Sequence, residues 1–305
     1  MEHHPNVLYA APGAGLGHLV RAAAISMALS SDQGVTTRIL THSPYAQGLA
    51  RLTGLDILFI PGNRWISDAP RMASDIRPDL LVLDTFPLGL RGEWSTPPYP
   101  DARMALVARR LKLEPYLEAA RATGIQNAPA LERVIIAEPL NPDYQSKLEQ
   151  DAGEIAFLDG RIRFPAEKIN TPIPPALQDM LEQGPLALVV HSGPIHEVQT
   201  LIDHAKEHMD GQNNGKIALI ATRPMENLDI PWFEYFPAAR LYDHAAAIIT
   251  GAGYNSLAET DPYPDKRILI PFDRRYDDQP GRLESPPINS QDGTTQAARI
   301  VCDWL

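Results

Sequence analysis

The sequence predicts an α/β protein built from two doubly wound parallel sheets. Apolar runs of strand length alternate with helical patterns along the chain, which indicates strands joined by right-handed helical crossovers. A proline-rich stretch from 159 to 185 interrupts this alternation, and a second series begins after it. The length of 305 residues also suits two domains of about 150 residues each.

The first series opens with a strand at 6–11, whose apolar centre suits a buried position, and a helix over 18–32. Ile25 and Leu29 share one face of this helix, where small residues fill the space around them. The run at 79–84 is almost continuously apolar, as expected for a strand covered on both faces. The other elements of this half are strands at 35–40, 56–60, 102–108, 133–138 and 153–159, and a helix at 114–122.

The proline-rich stretch predicts an interdomain linker, because such proline density does not continue regular structure. We therefore expect a first domain at 1–160 and a second at 161–305. Ligands of doubly wound sheets bind outside the carboxyl ends of the strands. The second series consists of strands at 185–193, 216–222, 245–251 and 267–272, and helices at 195–208 and 294–305.

Composition restricts the class of protein. Cys302 is the only cysteine, which excludes an intramolecular disulfide and a cysteine metal cluster and suits a reducing compartment. A formal net charge of −11 argues against a nucleic-acid partner. No secretory leader and no apolar run of membrane-spanning length is recognisable. We expect a cytoplasmic protein without a transmembrane segment.

The first strand leads through Gly13, Gly15 and Gly17 into the first helix, an arrangement that brings backbone N–H groups and the positive helix end towards a ligand. A dinucleotide fingerprint is not favoured, because its third glycine position is His18 and the second strand ends at 40–43 without an acid for a ribose hydroxyl. We expect the loop to approach a substrate. A bulky side chain at Gly15 is expected to disturb the backbone.

His18 directly follows these glycines and has two interpretations. It is either a helix-start residue hydrogen-bonded to backbone or a general base, since a neutral imidazole with a pKa near ~6.5 can take a proton from a hydroxyl. Asp84, at the end of the fourth strand, either orients His18 in a His–Asp pair or forms an Asx turn before Pro87. His18 and Asp84 are the candidate catalytic residues.

A second group of candidates lies between 235 and 279. A strand there ends at Thr250 and leads through Gly253 into a helix, so that backbone N–H groups and the helix dipole would favour a diphosphate. Glu259 lies one turn further along, where its carboxylate can accept ribose hydroxyls. In chain order the group consists of Tyr235, Pro237, His244, Gly251, Gly253, Asn255, Ser256, Glu259, Pro271, Asp278 and Gln279.

This pattern resembles the donor site of two-domain glycosyltransferases of the GT-B fold. It is similar to the signature of plant-type UDP-glycosyltransferases and to the bacterial N-acetylglucosaminyltransferase that completes the lipid-linked peptidoglycan precursor. The opening Gly-rich loop and His18 fit the same resemblance, which thus covers both halves of the chain. The resemblance implies two Rossmann-like domains that face a cleft, with the acceptor bound by the first domain and the nucleotide sugar by the second.

The resemblance also implies roles for individual residues. Gly13, Gly15 and Gly17 would form the acceptor loop, and Tyr235 would stack on the uracil. Ser192 and Gly193 would contact phosphate, although Pro194 removes one donor there. The donor residues implied are Ser192, Gly193, Tyr235, Gly253, Asn255, Ser256, Glu259, Asp278 and Gln279. The chain departs from the pattern at Gly251 and Ala238, where the plant-type family has histidine and glutamine.

The activity implied is inverting transfer of a sugar from a nucleotide-diphosphate sugar, with UDP-sugar as the expected donor, to an acceptor hydroxyl. No D-x-D pattern suggests a metal-held diphosphate, so we expect no metal and no cofactor. The alternatives are a nucleotide-sugar 2-epimerase of the same architecture, a non-catalytic nucleotide-sugar-binding protein and an NAD-dependent oxidoreductase. The sequence does not identify the sugar or the acceptor.

Overall fold

A computed structural model describes residues 5–124, 131–225, 228–286 and 288–305. The chain divides into two compact units. Unit 1 comprises Met1–Phe164, Arg274–Asp278 and Ser285–Leu305, and unit 2 comprises Pro165–Asp273 and Gln279–Glu284.

Strands and helices alternate along most of the chain, as the apolar pattern indicates. The strands are β1 (Asn6–Ala11), β2 (Thr36–Thr41), β3 (Asp56–Phe59), β4 (Leu80–Asp84), β5 (Met104–Ala108), β6 (Leu131–Ile136), β7 (Ala152–Phe157), β8 (Gly160–Arg161), β9 (Leu186–Val190), β10 (Lys216–Ala221), β11 (Trp232–Glu234), β12 (Ala247–Gly251), β13 (Arg267–Ile270) and β14 (Asn289–Asp292). The helices are α1 (Gly17–Asp32), α2 (Ala46–Thr53), α3 (Trp65–Ile76), α4 (Leu113–Arg121), α5 (Pro142–Asp151), α6 (Pro175–Glu182), α7 (Ile195–Met209), α8 (Tyr254–Thr260), α9 (Gln279–Glu284) and α10 (Thr294–Asp303).

Unit 1 is built on a parallel sheet of seven strands in the order β3-β2-β1-β4-β5-β6-β7. β1 is an interior strand and pairs with β2 on one side and β4 on the other. Every residue of β4 and β5 is buried, which explains why these segments are apolar, except for the terminal Asp84, rather than alternating. The sheet thus has the doubly wound form that the sequence predicts.

Unit 2 repeats this architecture with a parallel sheet of five strands in the order β11-β10-β9-β12-β13. β9 is central and pairs with β10 and β12. Helix α7 packs against β9 and β12. Its buried face contains Val198, Leu201 and Ile202, which form a core with the strands. The repeat of a strand series after the proline-rich stretch therefore corresponds to a second sheet.

Each sheet has one point at which the order of its strands reverses. In unit 1 it lies between β1 and β4, and in unit 2 between β9 and β12. Loops leave the two strands in opposite directions there, which opens a crevice at their carboxyl ends, and ligands of doubly wound sheets bind in that crevice. Functional residues are therefore expected at these two positions.

The proline-rich stretch differs from the expectation of an irregular linker, because it contains a short 3-10 turn at Ala166–Lys168 and helix α6. Pro175 is the first residue of α6, where the missing N–H costs nothing since no intrahelical bond is made there. Helices α2, α3 and α5 are further elements that the sequence did not predict.

The carboxyl-terminal segment lies with unit 1, whereas the expected division placed all of 161–305 in one domain. Helix α10 packs against α1, and the fully buried Ala297 and Ala298 allow the two backbones to approach. Strand β14 pairs with β8, which also belongs to unit 1. The expected division fails because α10, which follows the second sheet in the chain, packs on the small-residue surface of α1 in unit 1.

Within the residues that the structure describes, no helix has both the length and the apolar character that crossing a bilayer requires.

Candidate active site

His18 and Asp84 meet at the strand reversal of unit 1. His18 lies in the first turn of α1, directly after the loop that leaves β1, and Asp84 is the last residue of β4. The imidazole Nδ1 lies 2.5 Å from Asp84 Oδ2. The Asp84 carboxylate is inaccessible to solvent, whereas 19 % of the His18 side chain is exposed. The structure thus brings together the two residues that the sequence singled out as catalytic candidates.

Two further side chains hold the Asp84 carboxylate in place. The Tyr9 hydroxyl donates to Oδ1 over 2.8 Å. Arg21 lies one turn after His18 on α1. Its Nε donates to Oδ1 over 2.9 Å, and its Nη2 donates to Oδ2. Arg21 is itself only 2 % exposed. Asp84 therefore accepts hydrogen bonds on both oxygens, which leaves it little freedom to rotate away from His18.

The charges around the pair determine its protonation. Burial alone would raise the pKa of Asp84, but the Arg21 guanidinium and the hydrogen bond from His18 hold that pKa well below its usual range. Burial lowers the pKa of His18, against the opposing effect of Asp84, and the cations Arg21 and Arg109 lower it further. At neutral pH the site therefore contains an ionised Asp84 and a neutral His18 that can accept a proton.

Thr85 connects this cluster to Arg109. Its hydroxyl donates to Asp84 Oδ2 over 3.0 Å and accepts from Arg21 at 3.2 Å and from Arg109 Nε at 2.9 Å. The φ angle of Thr85 is 70°, a left-handed conformation that costs a β-branched residue about 1–3 kcal/mol. The surrounding hydrogen bonds retain this strained backbone at the end of β4, which is typical of functional sites.

Among the three loop glycines, Gly13 is the constrained one. Its φ is 137°, and a Cβ there would lie 2.8 Å from His18 Cδ2. Gly15 and Gly17 have no positive φ, and a Cβ at either would meet no atom within 4 Å. The expectation that Gly15 carries the backbone constraint is therefore wrong, because the turn that needs glycine occurs two residues earlier.

Residues after β2 hold the glycine loop. The Gly13 N–H donates to His42 Nε2 over 3.0 Å, and the Ser43 hydroxyl donates to the Gly15 carbonyl over 2.9 Å. Burial lowers the pKa of His42, so the ring is available as a neutral acceptor. The segment at 40–43, which lacks an acid for a ribose, thus has a different task in the structure: it fixes the loop that positions His18.

In unit 2, strand β12 leads through Gly253 into α8. Gly253 is the residue before the helix, and a Cβ there would meet only Ser256 Oγ, at 3.9 Å. The Thr250 hydroxyl donates to the Val190 carbonyl over 2.8 Å and lies 3.3 Å from Ser256 Oγ. The buried Arg282 of α9 donates to the Ala252 carbonyl over 3.1 Å. The turn is therefore fixed from both sides while Gly253, Asn255 and Ser256 remain partly exposed.

Glu259 lies on the same helix and is partly exposed. The hydroxyl of the buried Tyr242 donates to Glu259 Oε2 over 3.4 Å. Burial raises the pKa of Tyr242 well above its usual value, and the Glu259 carboxylate raises it further, so the phenol remains a donor. This contact orients the carboxylate of Glu259 on α8.

Ser192 and Gly193 follow β9, at the reversal point of the second sheet. Ser192 Oγ accepts from the Thr222 N–H over 3.0 Å, and the Gly193 carbonyl accepts from the exposed Arg223 over 2.8 Å. His191, directly before them, is bound to Glu197 of α7. His191 and Glu197 are not among the candidate residues that the sequence predicts.

The structure corrects the expectation for Tyr235. This side chain is 3 % exposed, and its ring packs in the core of unit 2 with Leu177, Leu188 and Tyr242. Its hydroxyl donates to the Thr171 carbonyl over 3.3 Å. Tyr235 therefore contributes packing and offers no exposed ring face on which a base could stack.

Asp278 and Gln279 are adjacent in the chain, but they are assigned to different units. Asp278 belongs to unit 1 and forms an ion pair with Arg110, with 2.7 Å between Oδ2 and Nε. Gln279 belongs to unit 2, is 5 % exposed, and accepts the Phe272 N–H on its Oε1 over 2.9 Å. Both side chains have structural partners here, so their expected role towards sugar hydroxyls stays a prediction.

The described part of the chain contains no group of three or more His, Cys, Asp and Glu side chains that could hold a metal ion.

The fold is similar to that of solved glycosyltransferases and of a putative epimerase. Glycosyltransferase SnogD from Streptomyces nogalater is 14% identical over 99% of this chain and 95% of that chain, with a TM-score of 0.55. Glycosyltransferase SsfS6 from Streptomyces sp. SF2575, solved with thymidine diphosphate, is 12% identical over 99% and 95%, with a TM-score of 0.57. A putative UDP-N-acetylglucosamine 2-epimerase from Listeria monocytogenes is 11% identical over 99% and 88%, with a TM-score of 0.60.

No family model matches the sequence, and no curated protein matches it. At these identities the structural likeness shows the fold alone. That fold is the two-domain, Rossmann-like α/β architecture of GT-B glycosyltransferases, which confirms the fold class that the sequence predicts.

Sequence reasoning missed the residues that surround the His18–Asp84 pair. Arg21 had a usable signal, because it is the only charged residue between His18 and Asp32 and falls one turn after His18 on a helix of small and apolar residues. Tyr9 and Thr85 had weaker sequence signals, because a tyrosine in a buried strand and a threonine at a strand end are both common. Their roles depend on the pairing of β1 with β4.

Proposed function

We propose that this protein is a glycosyltransferase that moves a sugar from a nucleotide-diphosphate sugar, with UDP-sugar as the first donor to test, to an acceptor hydroxyl. The observation that carries the proposal is the buried His18–Asp84 pair at the strand reversal of unit 1. The shared fold with SnogD and SsfS6 supports it. The transfer is proposed to invert the anomeric centre and to need no metal.

In this mechanism His18 is the general base. Its Nδ1–H donates to Asp84, which leaves Nε2 to take the proton of the acceptor hydroxyl. The acceptor oxygen forms a bond to the anomeric carbon as the bond between that carbon and the diphosphate oxygen breaks. Asp84 stabilises the imidazolium that results and keeps the ring in one tautomer. The glycine loop, fixed by His42 and Ser43, gives the acceptor access to His18.

Unit 2 is proposed to hold the donor. The N–H groups at the turn from Gly253 to Ser256 would donate hydrogen bonds to the leaving diphosphate and stabilise the negative charge that develops on it. Glu259, oriented by Tyr242, would accept the ribose hydroxyls. Ser192 and Gly193 would contact a phosphate at the neighbouring strand end. Asp278 and Gln279 are retained as proposed sugar contacts of lower priority, because each has a partner in the protein.

A 2-epimerase acting on a nucleotide sugar is the second candidate, because the Listeria structure with this fold has that assignment. The two activities differ in what they require. An epimerase converts a nucleotide sugar into its 2-epimer without an acceptor, whereas a transferase releases the nucleoside diphosphate only when the sugar is transferred to a hydroxyl or to water.

The test combines binding and product analysis. Thermal shifts with UDP, dTDP, GDP and NAD identify the nucleotide, since a ligand at 100 times its Kd adds about 2.7 kcal/mol of stability. The selected nucleotide sugar is then incubated with and without an acceptor panel, and products are separated by mass and by NMR. A new nucleotide sugar in the absence of acceptor would identify the epimerase, and binding of NAD alone would overturn both.

Replacing His18 tests the mechanism. We expect His18→Ala to lower kcat by about 10²–10⁴, the usual contribution of a general base, with nucleoside diphosphate affinity unchanged within a few-fold. His204→Ala, on the exposed side of α7, is the matched control and is expected to keep full turnover. Full turnover by His18→Ala would show that His18 is structural, and no turnover by the wild type with any acceptor would favour a non-catalytic binding protein.

A further inference from the structure

A second buried carboxylate of unit 1 lies in the loop that follows β4. Glu93 is 7 % exposed, and its Oε1 accepts the Trp65 ring N–H over 2.6 Å. The backbone N–H groups of Leu90 and Arg91 donate to the same carboxylate over 2.8 Å each. Burying a carboxylate is unfavourable unless hydrogen bonds compensate it, and all three of these donors are uncharged groups. A group that is this unfavourable to bury indicates a task in holding the loop in one conformation.

The Glu93 carboxylate determines the shape of residues 86–94, here called the β4 loop. Gly89 has a φ of 81°, and a Cβ there would lie 2.4 Å from Glu93 Cδ, so the turn closes directly on the carboxylate. The hydroxyl of the buried Tyr116 accepts the Leu88 N–H and donates to the Gly89 carbonyl, each over 2.9 Å. The β4 loop is therefore fixed by side chains on both sides of its turn.

The β4 loop and the glycine loop both reach the ring of His18. At the start of the β4 loop, the Phe86 ring packs on the imidazole with 5.5 Å between the ring centroids. In the glycine loop, Gly13 lies so close that a Cβ on it would be 2.8 Å from His18 Cδ2. The position of the imidazole therefore depends on both loops.

Trp65 connects the residues that hold these two loops. It is the first residue of α3 and is 2 % exposed. Its N–H donates to Glu93, which holds the β4 loop. Its ring meets the His42 ring edge-on, with 5.0 Å between centroids and an interplanar angle of 66°. His42 in turn accepts the Gly13 N–H on Nε2. A displacement of either loop is thus transmitted to the other through one buried tryptophan.

We infer that Trp65 couples the β4 loop to the glycine loop, so that the two loops position the acceptor beside His18 as one unit. Glu93 and His42 are positioning residues that act through Trp65. The acceptor part of this inference rests on the proposed function, whereas the coupling of the loops is a property of unit 1.

The first test needs no ligand and measures exchange of the Gly13 amide hydrogen by NMR. Glu93→Gln keeps the volume and one carbonyl oxygen but removes the charge and the second acceptor oxygen. Because Glu93 is linked to Gly13 through Trp65 and His42, this variant is expected to speed Gly13 exchange about two- to tenfold, the equivalent of one hydrogen bond. Glu118→Gln, on the exposed side of α4, is the matched control and is expected to leave the exchange unchanged. Unchanged Gly13 exchange in a folded Glu93→Gln overturns the inference.

A double-mutant cycle tests the acceptor part. His42→Phe keeps a ring against Trp65 but removes the acceptor of the Gly13 N–H. Glu93→Gln and His42→Phe are each expected to lower kcat/KM for the acceptor about two- to tenfold, with the Kd of UDP unchanged. Because a released loop has little more to lose, the double variant is expected to lose less than the product of the two single losses.

The outcomes separate this inference from the proposed function. Single losses that multiply in full would show that the loops act on the acceptor independently, which overturns the inference. If Glu93→Gln does not fold, Trp65→Phe takes its place, since it removes the N–H donor and keeps an aromatic ring. If Gly13 exchange responds but the wild type transfers no sugar, the proposed function fails while the coupling of the two loops stands.

Discussion

In the proposed mechanism, the charge of Arg21 contributes to the pH at which His18 can act as a base. Burial lowers the pKa of His18, and the nearby guanidinium of Arg21 lowers it further. A base must be neutral to accept a proton, so activity rises with pH through the His18 pKa, and the acid limb of the profile of kcat/KM is expected below pH ~6.5. Arg21 is thus expected to extend activity towards acid pH.

Replacing Arg21 tests this assignment. Arg21→Met removes a cation from the site and is expected to move the acid limb of kcat/KM to higher pH, whereas Arg21→Lys keeps the charge and is expected to move it less. Arg38→Met, which breaks an exposed ion pair with Asp56 on β2 and β3, serves as the control with an unchanged limb. Circular dichroism at each pH establishes that the variants are folded. If the acid limb of kcat/KM is unchanged in Arg21→Met, Arg21 does not lower the pKa of the catalytic base.

The glycine loop allows a comparison of two single-methyl changes. Gly13→Ala is expected to lower the free energy of unfolding by about 1–3 kcal/mol, because it combines a φ of 137° with a Cβ 2.8 Å from His18 Cδ2. It should also lower turnover by displacing the imidazole. Gly15→Ala meets no atom within 4 Å and is expected to be within about 0.5 kcal/mol of the wild type. Urea unfolding and steady-state kinetics of both variants provide the measurement, and equal behaviour would exclude the constraint at Gly13.

At the scale of elements, the contact of α10 with α1 is the one that completes unit 1. Ala298 is fully buried, whereas its neighbour Arg299 is exposed. Ala298→Asp places an unpaired carboxylate against α1 and is expected to cost about 3 kcal/mol or more, while Arg299→Asp should be nearly neutral. Hydrogen exchange is expected to show lost protection in α1 and β1 with β9–β13 unchanged. If Ala298→Asp loses hydrogen-exchange protection equally in both units, the two units unfold cooperatively.

The strands were predictable because their physical signal is local. β4, β5, β9 and β12 are buried on both faces, so the sequence there is apolar until the strand ends, where Asp84 and Thr250 stand. Each prediction falls within two or three residues of the observed ends. Helices α2, α3 and α5 carry a mixture of small, polar and apolar residues, and a short amphipathic helix is difficult to tell from a loop in one sequence. The pairing of β8 with β14 has no local signal, since it joins segments more than a hundred residues apart.

The sites show the same limit. His18 and Asp84 were found because each stands at the end of a predicted strand or at the start of a helix, where ligands of doubly wound sheets bind. The role of Tyr235 came from its place in the family pattern, and such a resemblance does not report burial. The ring that was expected to stack on a base belongs to the core. Glu197 looks like a solvated helix charge in the sequence, and only its burial marks it.

For the whole molecule, the two units have separate cores, so a ligand of one unit should be detectable by where it changes stability. At 100 times its Kd, UDP or the nucleotide selected by the thermal-shift panel is expected to add about 2.7 kcal/mol. We expect hydrogen exchange to slow in β9, β12 and α8 with little change in β1 and β4. Apyrase treatment, which hydrolyses the nucleoside diphosphate to the monophosphate and phosphate, is the control. Slowing confined to β1, β4 and α1 would contradict the assignment of the nucleotide to unit 2.

The path of the chain between the units has a consequence for synthesis on the ribosome. About 260 residues separate the end of α1 from the start of α10, and at roughly 5–20 residues per second their translation takes about 10 to 50 seconds. Throughout that time the surface of α1 that α10 will cover is exposed, while the whole of β9–β13 is made before unit 1 can close. The nascent protein therefore carries an apolar, alanine-rich face until α10 has been made and has left the ribosome, and this face is a surface for chaperones during synthesis.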